Sequence, residues 1–139
     1  MEAVYATERG WPGHFICASR CLYRRNTLLS NGSGTVRIVV STVGGMLSRD
    51  EDSFETIGHD RYYETMAFHA SDERGYWEAD VSREVPFESQ WCIDTHSYET
   101  DKLAEEMHRR VCDEISGRMA AGEFTHIAAS GSLEPQEVG

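Results

Sequence analysis

The residues most able to do chemistry lie early in the chain, in residues 11–29, WPGHFICASRCLYRRNTLL. His14, Cys17 and Cys21 have the side chains of a zinc site. In an extended chain the sulfurs of residues 17 and 21 stand about 13 Å apart, so one ion reaches both only across a tight turn at Ser19-Arg20. Structural zinc sites pair short spacings, and here Cys92 and His96 stand isolated, so the metal reading is weak. A second set is His59-Asp60-Arg61 beside Tyr62, Tyr63 and Glu64, where His59, or His14 upstream, is the candidate acid–base group of a small hydrolase. No nucleophile elbow, P-loop or His-Glu-x-x-His motif supports an enzyme, and no catalytic residue or cofactor is expected.

The arginines form the third set. Six of them, and no acidic residue, fall between Arg9 and Arg49, in a chain whose net charge is −11. The cations number twelve arginines and one lysine, and arginine's planar fork suits phosphate and carboxylate. Arg24, Asn26 and Arg37, with Arg20 and His14 near their end, are the candidate phosphate-binding residues. Tyr23, Phe15 or Trp11 would stack a base. The competing reading is a sheet face whose arginines pair with this chain's own carboxylates.

Those residues need a scaffold. Asn31-Gly32-Ser33-Gly34 is the clearest turn signal, and it joins a strand over 22–30 to the β-branched run TVRIVVSTV at 35–43. Closed there, the hairpin places Leu28 opposite Arg37 and Asn26 opposite Val39. Alternation then puts Arg24, Asn26 and Arg37 on one face, and Tyr23, Arg25, Thr27, Ile38 and Val40 on the other. Residues 1–10 read as a polar lead and 14–18 as a short strand. Gly44-Gly45 reads as a strand break and 48–53 as an exposed acidic loop. Further strands are expected at 54–57, 61–70 and 76–83, with a hairpin loop at 71–75, and one at 90–93.

From Thr100, a plausible N-cap, Leu103, Met107, Val111, Ile115 and Met119 recur every four residues, which predicts an amphipathic helix ending near Gly122. The expected fold is α+β: an antiparallel sheet of about five or six strands with one long C-terminal helix packed on a face. Residues 1–122 form the domain and 123–139 a flexible tail. A sheet covered by one helix leaves its second face open, which favours self-association through an edge or the helix.

At 139 residues, with 40% hydrophobic and 10% aromatic content, the chain supports one folded domain. Its acidity argues against general nucleic-acid coating and against adsorption to anionic membranes. With no signal-peptide pattern and no apolar run of membrane-spanning length, a soluble, cytoplasmic protein with reduced thiols is expected.

The passages WPGHFICASRCLYRRNTLL, VRIVVSTVG, ETIGHDRYYETMAFHA and EADVSREV, with the helix DKLAEEMHRRVCDEI, resemble small proteins encoded by bacteriophages and prophages of proteobacteria over about residues 9–120. The resemblance implies a counter-defence accessory role in the host cytoplasm, by binding rather than catalysis. The leading expectation is capture of an anionic, nucleotide-like ligand or host immune signal. The alternative is an acidic, DNA-mimicking inhibitor of a host defence complex, of anti-CRISPR type, acting through residues 50–101.

Overall fold

Six strands and one helix follow in the order β1 (Val4–Glu8), β2 (Cys21–Asn31), β3 (Arg37–Leu47), β4 (Phe54–Glu55), β5 (Tyr63–Glu73), β6 (Tyr76–Glu84) and α1 (Tyr98–Ala120) in a computed structural model. It describes residues 3–9, 20–57, 61–73, 75–95 and 97–124. The strands form one antiparallel sheet in the order β1-β2-β3-β5-β6, with β4 pairing β3, and α1 packs across it. This is the α+β architecture that the alternation and the four-residue periodicity predict.

The β2–β3 hairpin turns at the expected place but in a shifted register. Asn31 Oδ1 accepts from the Val36 amide at 3.1 Å, its backbone N–H reaches Val36 O at 3.2 Å, and Gly34 takes φ +74°. Leu28 therefore faces Val39, and Ser30 faces Arg37, a register two residues from the expected one. Because strand faces repeat every two residues, a two-residue shift leaves every face unchanged. Tyr23, Arg25, Thr27, Ile38 and Val40 do lie on the α1 side.

Several local expectations are corrected. Residues 4–8 are an edge strand, not a polar lead; its exposed face lacks the apolar alternation that marks a half-buried strand. β3 runs through Gly44-Gly45 to Leu47. A Cβ at Gly44 would stand 2.1 Å from the Tyr63 ring, so this glycine admits a buried aromatic rather than ending the strand. β5 continues to Glu73, which shortens the second hairpin loop. Residues 90–93 form no strand, yet Ile93 O accepts from Tyr62 N (2.8 Å) and Gln90 Oε1 from Thr65 N (2.7 Å). The strand expected at 14–18 and the tail from 125 lie outside the described residues.

The helix starts at Ser97, whose N–H donates to Thr100 Oγ1 at 2.7 Å, so Thr100 is the third helical residue rather than the cap. Leu29, Ile38, Val40, Tyr63 and Ala67 from the sheet meet Ala104, Met107, Val111, Ile115 and Met119. Leu103 is 45% exposed, contrary to the periodicity reading. Steps of four residues drift about 40° each around a helix, so the run leaves the core at its N-terminal end and Ala104 takes over.

The centre of the second face is not open. Asn26, Val39, Ser41, Val43 and Phe68 are all buried there. Between Phe68 and Ala70 the β6 strand carries a bulge, since Phe68 pairs with Glu84 and Ala70 with Ala79. A bulge of that size bends the β5–β6 arm. Arg9, just after β1, donates from Nε to Asn26 Oδ1 (2.9 Å) and from Nη1 to Trp77 O, and stacks on Tyr76 with Cζ 4.9 Å from the ring centre. Arg37 stacks on Trp77 at 4.1 Å. Arg9 thus ties the end of β1 to the start of β6 over the second face.

Candidate functional site

The hairpin's alternation and register decide where each sequence-derived candidate goes. Arg24 is exposed on the second face, in a row with Val43 and Glu64. Asn26 shares that face but is 2% exposed, its carboxamide held by Arg9. Arg37 lies six residues from Val43 along β3, about 20 Å away at the usual strand rise. It donates to Gly34 O at 3.0 Å while stacked on Trp77. Arg24, Asn26 and Arg37 share a face without meeting around one cavity. Tyr23 is on the helix side, donating to Glu105 Oε1 at 2.8 Å and packing edge-on against Tyr63. His14 and His59 lie outside the described residues, as do Trp11, Phe15 and Cys17. Cys92 and Cys112 are free thiols, Cys21 is buried, and no group of three metal-ligating side chains assembles among the described residues.

Arg20 does line a cavity. It enters β2 and donates from Nε and Nη2 to Leu47 O (3.0 and 2.7 Å) and from Nη2 to Glu55 Oε2 (2.9 Å). Those bonds hold its guanidinium against the far end of β3. Arg20, Leu22, Leu47, Ser48, Arg49 and Glu51 surround a recess of about 470 Å³. Leu22, 65% exposed, supplies an apolar wall. The loop after β3 is closed by Ser48 N to Ser53 O (2.9 Å), Glu51 N to Ser48 O (3.0 Å) and Ser48 Oγ to Asp50 Oδ1 (2.6 Å). Glu51 there takes φ +61°, a left-handed geometry uncommon outside glycine. This loop presents Arg49 across the recess from Arg20. Sequence reading counted Arg49 among the basic residues but assigned it only to an acidic loop; the signal that finds it is its position just past a strand pairing with the Arg20 end of β2.

The buried polar centre was not foreseen. His108 on α1 is fully buried, with Nε2 2.8 Å from Thr27 Oγ1 and Nδ1 2.7 Å from Thr42 Oγ1. Thr27 also donates to Glu8 Oε2 at 2.6 Å, and Thr42 lies 2.6 Å from Thr65 Oγ1. A hydroxyl has one hydrogen, and Thr27's goes to the carboxylate. His108 must then donate from Nε2 to Thr27 and accept at Nδ1 from Thr42, which in turn accepts from Thr65. Protonating the ring would reverse that chain. Burial pushes His108 down to about 4, reinforced by the Arg25 charge and opposed by Glu8 and Glu105.

Arg25 closes the solvent end, donating from Nε to Glu8 Oε1 (2.8 Å) and from Nη1 to Glu105 Oε1. Burial works upward on both carboxyls, but hydrogen bonds from Arg25, with Thr27 at Glu8 and Tyr23 at Glu105, outweigh it and hold both below the usual range. Every member is occupied by a neighbour, so this centre fastens α1 to the sheet. The Cys112 thiol beside Thr27 is pushed up to about 12 by burial, which makes it a poor nucleophile.

Comparison with protein families, with curated proteins and with solved structures returns no match. Among the described residues, no helix is long and apolar enough to cross a membrane.

Proposed function

We propose that this chain is a non-enzymatic, phage-type accessory protein of the host-cell cytoplasm, capturing an anionic, nucleotide-like ligand between Arg20 and Arg49. The observation that supports it is the recess those two arginines share with exposed Leu22. Its volume falls within the range of small-molecule sites. The two guanidinium groups supply donors for a phosphate, and Leu22 an apolar surface for a base. Arg24 lies two residues further along the same strand face as Leu22. The counter-defence context rests on the sequence resemblance.

The test is a thermal-shift screen with cyclic di- and trinucleotides and ADP-ribose derivatives. A ligand at a hundred times its Kd stabilises the fold by about 2.7 kcal/mol. Arg49→Ala should abolish the shift without changing the melting temperature of the free protein. No shift with any member, or an equal shift in Arg49→Ala, would overturn this reading.

One observation favours an acidic inhibitor of a host defence complex instead. Asp50, Glu51 and Asp52 are exposed together, while Arg9, Arg20, Arg25 and Arg37 are each engaged within the chain. Charge reversal at 50–52 would then abolish partner capture from host lysate, and Arg49→Ala would leave it intact.

A further inference from the structure

We propose that Arg83 and His69, beside the β5–β6 bulge, together bind a small carboxylate anion. Arg83 comes from the bulge and its side chain is 13% exposed. Its Nε donates to Asp80 Oδ2 at 2.8 Å and its Nη2 to Ser71 Oγ at 2.7 Å. Its Nη1 is shielded from solvent and has no hydrogen-bond partner among the described residues. His69, on β5 opposite Ile38, is 4% exposed and packs edge-on against Phe124 with ring centres 5.8 Å apart. Its Nδ1 is likewise shielded and unpartnered. Buried polar groups are nearly always paired, and each exception calls for an explanation.

Arg83 Nη2 is bonded to Ser71, which lies two residues from His69 on the same face of β5, and this brings the two orphaned nitrogens to one part of the sheet. Burial, then the Arg83 charge, holds His69 down to about 4, with Asp80 acting the other way. Asp80 cannot serve as the missing acceptor. Its Oδ2 is on Arg83 Nε, and its Oδ1 accepts from Ser82 N (3.0 Å) and Ser82 Oγ (2.6 Å). From the helix side the imidazole meets Phe124, whose ring carries Arg118, itself paired with Glu123 at 2.6 Å. Among the described residues, Arg118 and Glu123 neutralise each other on that side.

A carboxylate would answer both vacant nitrogens with one planar group, accepting from Arg83 Nη1–H on one oxygen and, once Nδ1 carries a proton, from His69 on the other. Arg83 is already balanced by Asp80, so the bound anion favours a proton, taken from solvent, on His69. Binding therefore tightens as pH falls.

The test is a sodium acetate titration of the full chain followed by NMR of the His69 ring, at about pH 7.5 and about pH 5.5, with sodium chloride at matched ionic strength as control. The expected result is a saturable His69 shift with acetate, tighter at the lower pH, and a raised His69 pKa. Arg83→Gln should weaken it roughly tenfold or more, as loss of a charge-assisted bond does. Arg83→Lys, which keeps the charge without the fork, should fall between. No saturable response in the parent protein would overturn the proposal, leaving a single buried water to bridge the two nitrogens. So would an equal response to chloride, or an undiminished one in a folded Arg83→Gln.

Discussion

Lowering the pH should destabilise this protein through its histidines before its carboxylates titrate. His69 and His108 are both buried, and both are held down to about 4 from an ordinary 6.5. A folded-state pKa below the unfolded value means that the unfolded chain binds the proton first. Stability is then complete above about 6.5 and is lost as pH falls from there towards 4. Between about pH 7.5 and about pH 5 each ring should cost about 2 kcal/mol, and the pair about 4. That is a large part of the 5–15 kcal/mol typical of a domain. The lowered Glu8 and Glu105 act in the same direction but below the ordinary carboxylate range of about 4.5, so they add little at pH 5. The assay is urea denaturation at the two pH values. His108→Leu leaves Thr27 and Thr42 with an unfilled partner and should be less stable at neutral pH, yet its pH dependence should shrink by about 2 kcal/mol. An unchanged dependence in that variant, or an NMR titration of His108 near 6.5 in the folded protein, would refute the reasoning.

Arg25→Ala should lower stability by about 1–2 kcal/mol, less than a fully buried pair because the side chain is 25% exposed, and Arg24→Ala by clearly less; melting curves of the two variants decide which strand face meets the helix. Gly44→Ala should cost about 1–3 kcal/mol or more by driving a methyl into the Tyr63 ring, read as a fall in the denaturation midpoint at constant m-value. Self-association through the β1 edge, where Tyr5 is 63% exposed, should give a dimer by light scattering, and a monomer at tens of micromolar protein would exclude it.

The parts legible in the sequence were those set by local periodicity and turn chemistry. Asn31–Gly34 announced the hairpin, and an alternation of period two kept Arg25 and Thr27 on the helix side even though the register lies two residues from the expected one. Met107 to Met119 announced the helix. What stayed hidden depends on long-range geometry. Val4–Glu8 is a strand because β2 offers it hydrogen bonds, not because of its own pattern. Asn26 is buried because Arg9 and the β6 arm cross over it, and nothing between residues 9 and 77 announces that closure. The recess at Arg20 and Arg49 joins residues 29 positions apart, so the basic stretch pointed to the region without pointing to the pair. His108 stands in the sequence next to Met107 with no partner residue nearby to mark it, and only the three threonines on neighbouring strands make it a centre.

That arrangement has a consequence for how the helix finds its place. An all-aliphatic seam between α1 and the sheet would tolerate sliding by a turn, since one methyl-lined hollow is much like another. Here Thr27, Thr42 and Thr65 form a polar socket in the floor, and α1 carries an imidazole at one height. Displaced by four residues, the socket would meet Ala104 or Cys112 and its hydroxyls would lose their partner. The threonines thus act as a keyway that penalises every axial setting but one.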